Sequence, residues 1–177
     1  MRTVLLGPPS PDVQAFIDRR RTLGQDGFDE VWDGEYHVAP MARSDHGQVQ
    51  AQLLALLMAL PAAKSLVAVG PFNLGLDKND FRVPDGGFLT GSSSEVYVPS
   101  AVVVLEVLSP DDETFDKFAF YCRHGVREVI VADPGGRTVV TYRPQPEPAH
   151  PGLRLGGSRV LGVSDAAMQE SIRWPGH

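Results

Sequence analysis

The sequence predicts a mixed α/β fold of the α+β kind, organised as one domain over residues 1–177. Three observations carry this. Residues 101–108 and 128–132 are apolar, β-branched runs that read as buried strands. Between them, residues 113–124 have helical spacing, giving a strand–helix–strand unit. Further stretches outside this unit alternate between β-like runs closed by turn residues and helix-spaced apolar residues. A length of 177 residues suits a single domain with a sizeable core.

Bulk properties narrow the class. The sole cysteine, Cys122, excludes an intramolecular disulfide and fits a reducing compartment. No apolar stretch reaches membrane-spanning length, and the opening residues are broken by proline too soon for a signal peptide, so the expectation is a cytoplasmic protein without a membrane partner. The net charge of -6 argues against a general polyanion binder, although a local basic groove is compatible with it.

Taken in order, Ser10 and Pro11 open a helix as N-cap and first helical proline. Val13, Phe16, Ile17 and Leu23 give its apolar spacing. Arg19, Arg20 and Arg21 form a basic exit suited to the helix dipole, or to a phosphate. Residues 28–32 and 35–39 are short strands joined at Asp33-Gly34, a hairpin signal. From Ser44 the pattern turns helical through Val49, Leu53 and Leu57 until Pro61, with His46 in the first turn. Residues 65–69 and 72–76 read as strands. In the run FRVPDGGFLT, Pro84 implies an edge or a bulge and Gly86-Gly87 permits close backbone approach. After Asp133, a Pro-Gly-Gly turn leads to an alternating strand at 138–143. Residues 144–151 are expected as loop, 153–161 as a further strand, and 164–172 as a last helix capped by Ser164, with Trp174 docking the terminus.

Glu106 is the residue that demands an explanation. A lone carboxylate in a buried strand costs several kcal/mol unless it is paired or bound to a metal. If the strands carrying Asp85 and Glu106 are neighbours, both acids converge on one divalent cation, and Mg²⁺ typically takes one or two carboxylates and leaves its other positions to water and phosphate. Glu113, Lys117 and Tyr121 recur at four-residue spacing on one helix face, which carries Lys117 back past the strand end holding Glu106. An ammonium there can orient a water or offset charge developing on a phosphate. The plainer alternatives are an exposed Lys117 paired with Glu113, and an Asp85 that only bonds its own turn.

The string PDGGF, the segment EVLSP with its Lys-containing helix, and the final strand ending in Asp133-Pro134 resemble the Uma-type restriction endonuclease family, placed in the PD-(D/E)XK nuclease superfamily. Asp33-Gly34-Glu35, His46-Gly47, Gly125-Val126 and Arg173-Trp174-Pro175 extend the resemblance over most of the chain. It implies a restriction-endonuclease-like core, a mixed sheet flanked by helices, and hydrolysis of phosphodiesters with Mg²⁺ or Mn²⁺. It assigns the motif aspartate to Asp85 and the motif acid to Glu106. The motif lysine should stand two positions after the acid, where this chain has Leu108, and Lys117 in the following helix matches it instead. Glu35 is implied as an outer metal ligand, His46 as a substrate or water contact, and Tyr121 as a substrate contact. DNA is the implied partner and a homodimer the implied assembly. Two other functions stay open: a catalytically silent module on the same fold, and a phosphohydrolase acting on small nucleotides.

Overall fold

A computed structural model describes residues 3–5, 9–39, 41–110, 113–147 and 152–176. The elements run β1 (Thr3–Leu5), α1 (Pro11–Thr22), β2 (Glu30–Trp32), β3 (Glu35–Val38), α2 (Ser44–Met58), β4 (Val67–Val69), β5 (Asn73–Asp77), β6 (Asp80–Arg82), β7 (Gly86–Leu89), β8 (Tyr97–Val98) and β9 (Val103–Val107). After β9 come a 3₁₀ turn at Thr114–Lys117, α3 (Phe118–Arg123), β10 (Glu128–Asp133), β11 (Thr138–Arg143), β12 (Leu153–Arg154), β13 (Gly157–Ser158), β14 (Val163–Ser164) and α4 (Asp165–Ser171).

Two six-stranded sheets hold the molecule together. One has the order β1-β3-β2-β6-β5-β8 and the other β12-β11-β10-β9-β7-β4. The second is mixed: β9 runs parallel to β10 and antiparallel to β7, with Val131 opposite Glu106 and Val104 opposite Gly87. A parallel pair needs a crossover, and the 3₁₀ turn with α3 supplies it. Every residue of β9 is buried, and the two-residue period of a strand divides them between faces. Val103, Leu105 and Val107 join Val49, Leu53 and Leu57 of α2 and Met168 of α4 in one core. Val104 packs with Phe118, Phe120 and Tyr121 on the opposite side, the side to which Glu106 also belongs.

The local expectations are met at most elements. Ser10 Oγ accepts from the Val13 amide and Ser164 Oγ from the Ala167 amide, as N-caps should. Asp33 and Gly34 both have positive φ, 49° and 89°, which is what the two-residue hairpin turn between β2 and β3 requires. A Cβ on Gly87 would stand 2.6 Å from the Val103 carbonyl oxygen, so only glycine lets β7 lie this close to β9.

Other expectations are corrected. Pro84 marks neither an edge nor a bulge. It lies in the break between β6 and β7, where the chain leaves one sheet for the other, and β7 itself is an interior strand. The expected helix at 113–124 is shorter and begins as 3₁₀. The strand expected over 153–161 divides into β12 and β13, and residues 148–151 of the expected loop are not described. The arginine run is structural at Arg20, whose guanidinium grips Asp29 through Nε and Nη2, both at 2.8 Å. Among the described residues no helix is long and apolar enough to cross a membrane.

Candidate active site

Where the two sheets and the start of α2 meet, a cleft of about 410 Å³ opens, lined by Glu30, His37, His46, Asp85, Glu106 and Lys117 among others. Asp85 reaches it from the bend just before β7, Glu106 from β9 and Lys117 from the last position of the 3₁₀ turn. The break at Pro84 and the strand pairing of β7 with β9 bring the two acids to one place.

Asp85 is held at both oxygens. Oδ2 accepts the Val107 amide at 2.7 Å, and Oδ1 lies 2.9 Å from His46 Nε2. The other ring nitrogen of His46 is 3.2 Å from Ser109 Oγ, so His46 orients Asp85 and is itself oriented. Both its nitrogens are engaged within the protein, which makes His46 a support for Asp85.

Glu106 is 3% exposed. Its Oε1 accepts a short hydrogen bond from the Tyr121 hydroxyl and lies 3.4 Å from Lys117 Nζ. Burial pushes its carboxyl up to about 8, against the pull of the Lys117 ammonium and with a further push from Asp85. Tyr121 has no exposed surface, and its hydroxyl serves as a donor to Glu106. Its hydroxyl is held well above the ordinary phenol range, first by burial and then by the charges of Glu106 and Glu30.

Lys117 bridges two acids. Its Nζ stands 2.9 Å from Glu30 Oε1 and 3.4 Å from Glu106 Oε1. Burial alone would lower its pKa, but the two carboxylates outweigh this and hold it above the ordinary lysine value. Glu30 is in turn fixed by the Val83 amide at 2.7 Å and by Trp32 Nε1 at 2.6 Å.

Glu35 does not join this group. It is exposed in β3 opposite Trp32, next to the hairpin turn, and it does not line the cleft. The strand face that it shares runs outward beyond the site, and the acid that does reach Lys117 is Glu30 on the partner strand. The sequence reasoning missed Glu30. It stands beside a second acid, Asp29, in the run Phe28–Trp32, so it lacks the isolation within an apolar strand that singled out Glu106.

Among the described residues no group of three or more His, Cys, Asp and Glu side chains is arranged to hold a metal ion. The set Asp85, Glu106 and Glu35 is therefore not assembled. Asp85 and Glu106 remain as two hard oxygen donors on one cleft wall. Three carboxylates, Asp85, Glu106 and Glu30, gather around the single ammonium of Lys117, and burial first, then the charges of Asp85 and Glu30, raises the pKa of Glu106.

The family model of Uma2, whose description is "Putative restriction endonuclease", matches residues 9–166. The chain belongs to this family. Among solved structures, a crystal structure from Anabaena variabilis described as "a putative nuclease belonging to DUF820" is similar with a TM-score of 0.63 at 18% identity, covering 81% of this chain and 90% of that one. That likeness establishes the nuclease-type fold. Among curated proteins nothing matches. The Uma2 membership thus agrees with the resemblance read from EVLSP and the lysine helix.

Proposed function

We propose that this chain is a Mg²⁺- or Mn²⁺-dependent endonuclease that hydrolyses phosphodiester bonds of DNA in the cleft between the sheets. The observation that carries the proposal is the meeting of Asp85, Glu106 and Lys117 in one cleft from three separate elements. Family membership supports it as well.

The donor chemistry fits such a cation. Asp85 and Glu106 offer oxygen ligands only, and their excess negative charge over Lys117 is what a divalent ion would offset. When bound, the ion supplies Lewis-acid polarisation of a phosphoryl oxygen. The protein's own groups do the rest. Lys117, charged and anchored by Glu30, donates to a non-bridging phosphate oxygen as negative charge builds there. Glu106, once ionised, accepts a hydrogen bond from the attacking water and sets its line of approach. Tyr121 fixes the Glu106 carboxylate, and His46 with the Val107 amide fixes Asp85.

A homodimer belongs to the same reading, because cutting both strands of a duplex takes two such sites. The lone Cys122 is consistent with action in the cytoplasm. The test is plasmid nicking by the purified protein with Mg²⁺ or Mn²⁺. Activity is expected in the unaltered chain and absent in Asp85→Ala and Glu106→Ala. Nicking that persists in both variants would remove the site from the proposal.

A further inference from the structure

The hydrolytic scheme leaves His37 without a task. Its side chain is only 9% exposed, yet it lines the cleft, and neither ring nitrogen has a hydrogen-bond partner among the described residues. The nearest charge is Glu113 Oε2, 3.9 Å from Nδ1, which is too long for a hydrogen bond. Burying polar nitrogens without partners costs free energy, so an acceptor brought to either nitrogen would relieve the ring.

The surroundings fix the ring in place. It stacks on Trp32 with centroids 4.3 Å apart and planes 17° from parallel. Trp32 is held by its bond to Glu30, and the Arg82 guanidinium lies over it at 4.5 Å. In the ladder between β2 and β3, His37 stands directly opposite Glu30. Opposed residues of an antiparallel pair project from the same face as near neighbours. Glu30 carries Lys117, so His37 sits beside the ammonium end of the site, with both ring nitrogens unpaired among the described residues.

We infer that His37 is a substrate-binding residue: its ring N–H donates to an oxygen of a nucleotide phosphate adjoining the one that Lys117 takes. This rests on the nuclease reading. The ligand chemistry is a phosphate oxyanion on a nucleoside, presented by a DNA strand or by a free nucleotide.

The experiment uses the full chain carrying Glu106→Gln, which on the nuclease reading binds without cleaving. With ¹⁵N-labelled histidine, NMR follows the His37 ring signals, assigned by their loss in His37→Phe, during titration with a short single-stranded oligonucleotide and, separately, with a nucleoside monophosphate. A shift of the His37 signals at saturating oligonucleotide is the expected result. A response to the monophosphate at equal affinity would assign the site to free nucleotides. Phenylalanine keeps a ring on Trp32 but removes the donor, so His37→Phe in the Glu106→Gln chain should bind the oligonucleotide roughly ten- to a hundred-fold more weakly. In the otherwise unaltered enzyme the same change should raise KM and leave kcat within about two-fold.

Unmoved His37 signals in a protein that binds the oligonucleotide would overturn the inference while the nuclease reading stands, because an ordered water would then be satisfying the ring. An unchanged KM in a cleaving His37→Phe enzyme would do the same. An unaltered chain that neither binds nor cleaves DNA would overturn the nuclease reading and the inference with it.

Discussion

Lys117 Nζ lies 2.9 Å from Glu30 Oε1, closer than it lies to Glu106. The two residues come from different sheets' surroundings, Glu30 from β2 and Lys117 from the turn after β9, so this contact ties the β2–β3 hairpin to the acid-bearing strand.

Glu30→Ala should therefore act at a distance. It removes the acceptor of three donors: Lys117, the Val83 amide and Trp32 Nε1. Breaking a largely buried pair by deleting one partner costs about 3 kcal/mol or more. The expected outcome is a loss of that order in urea unfolding, together with a fall of roughly a hundred-fold in nicking rate as Lys117 loses its anchor. Full activity with normal stability would contradict the bridge.

The pH dependence of stability has a definite sign. An ordinary carboxyl ionises near 4.5 in the unfolded chain, whereas Glu106 in the fold holds its proton up to about 8. Between those values the native state binds more protons than the unfolded state, so stability falls as pH rises through this window and levels off above it. Glu106→Gln removes the effect. Thermal melting of the two proteins from pH 4 to pH 9 should show curves that diverge by several degrees, with the variant gaining on the parent as pH climbs.

Asp85 offers a test by calorimetry. Its oxygens are pinned by His46 and the Val107 amide, so it is preorganised as a ligand. Titration with Mn²⁺ should give binding in the parent protein and none in the low millimolar range for Asp85→Ala. His46→Ala leaves the carboxylate in place but unfixed, and an affinity loss of about ten-fold is expected. Equal heats from all three proteins would separate Asp85 from the cation.

How much of this was legible in the sequence differs residue by residue. Glu106 was legible because a carboxylate inside an apolar strand is a contradiction that local composition exposes. Lys117 and Tyr121 followed from it by helical spacing, and that inference survives a start in 3₁₀ form, since both helices return residues three or four apart to one side. Glu30 was not legible. Its role depends on how the β2–β3 hairpin packs beside β9, and pairing between sheets leaves no local trace in the chain. Glu35 entered the reading through the family resemblance of Asp33-Gly34-Glu35, and its place at the exposed end of β3 keeps it off the cleft. His46 and Tyr121 were placed near the site, and the structure adds the side chains that they hold, Asp85 and Glu106. Pro84 was misread for a related reason: a proline excluded from a strand also fits the gap between two strands.

Arg82 tests the fold that underlies the site. It is 3% exposed, and its guanidinium lies 4.5 Å from the centroid of Trp32 and 4.1 Å from that of Phe120, while Nη1 bonds the Val31 carbonyl and Asp80 at 2.8 Å. It thus links the hairpin that carries Glu30 and His37 to the helix that carries Tyr121. Burial lowers its pKa, opposed by Asp80, and the flanking rings offer a buried cation their faces. Arg82→Met keeps most of the volume and discards both the charge and the bonds, leaving the Val31 carbonyl without this donor. A loss of about 3 kcal/mol is expected from chemical unfolding. Arg82→Lys should recover little of it, because an ammonium cannot lie flat between two rings and reach both acceptors. Nicking activity measured well below the unfolding transition should fall in both variants, since the hairpin holding Glu30 would no longer be fixed against α3. If Arg82→Lys restored stability fully, the stacking would be incidental and the charge alone would account for this residue.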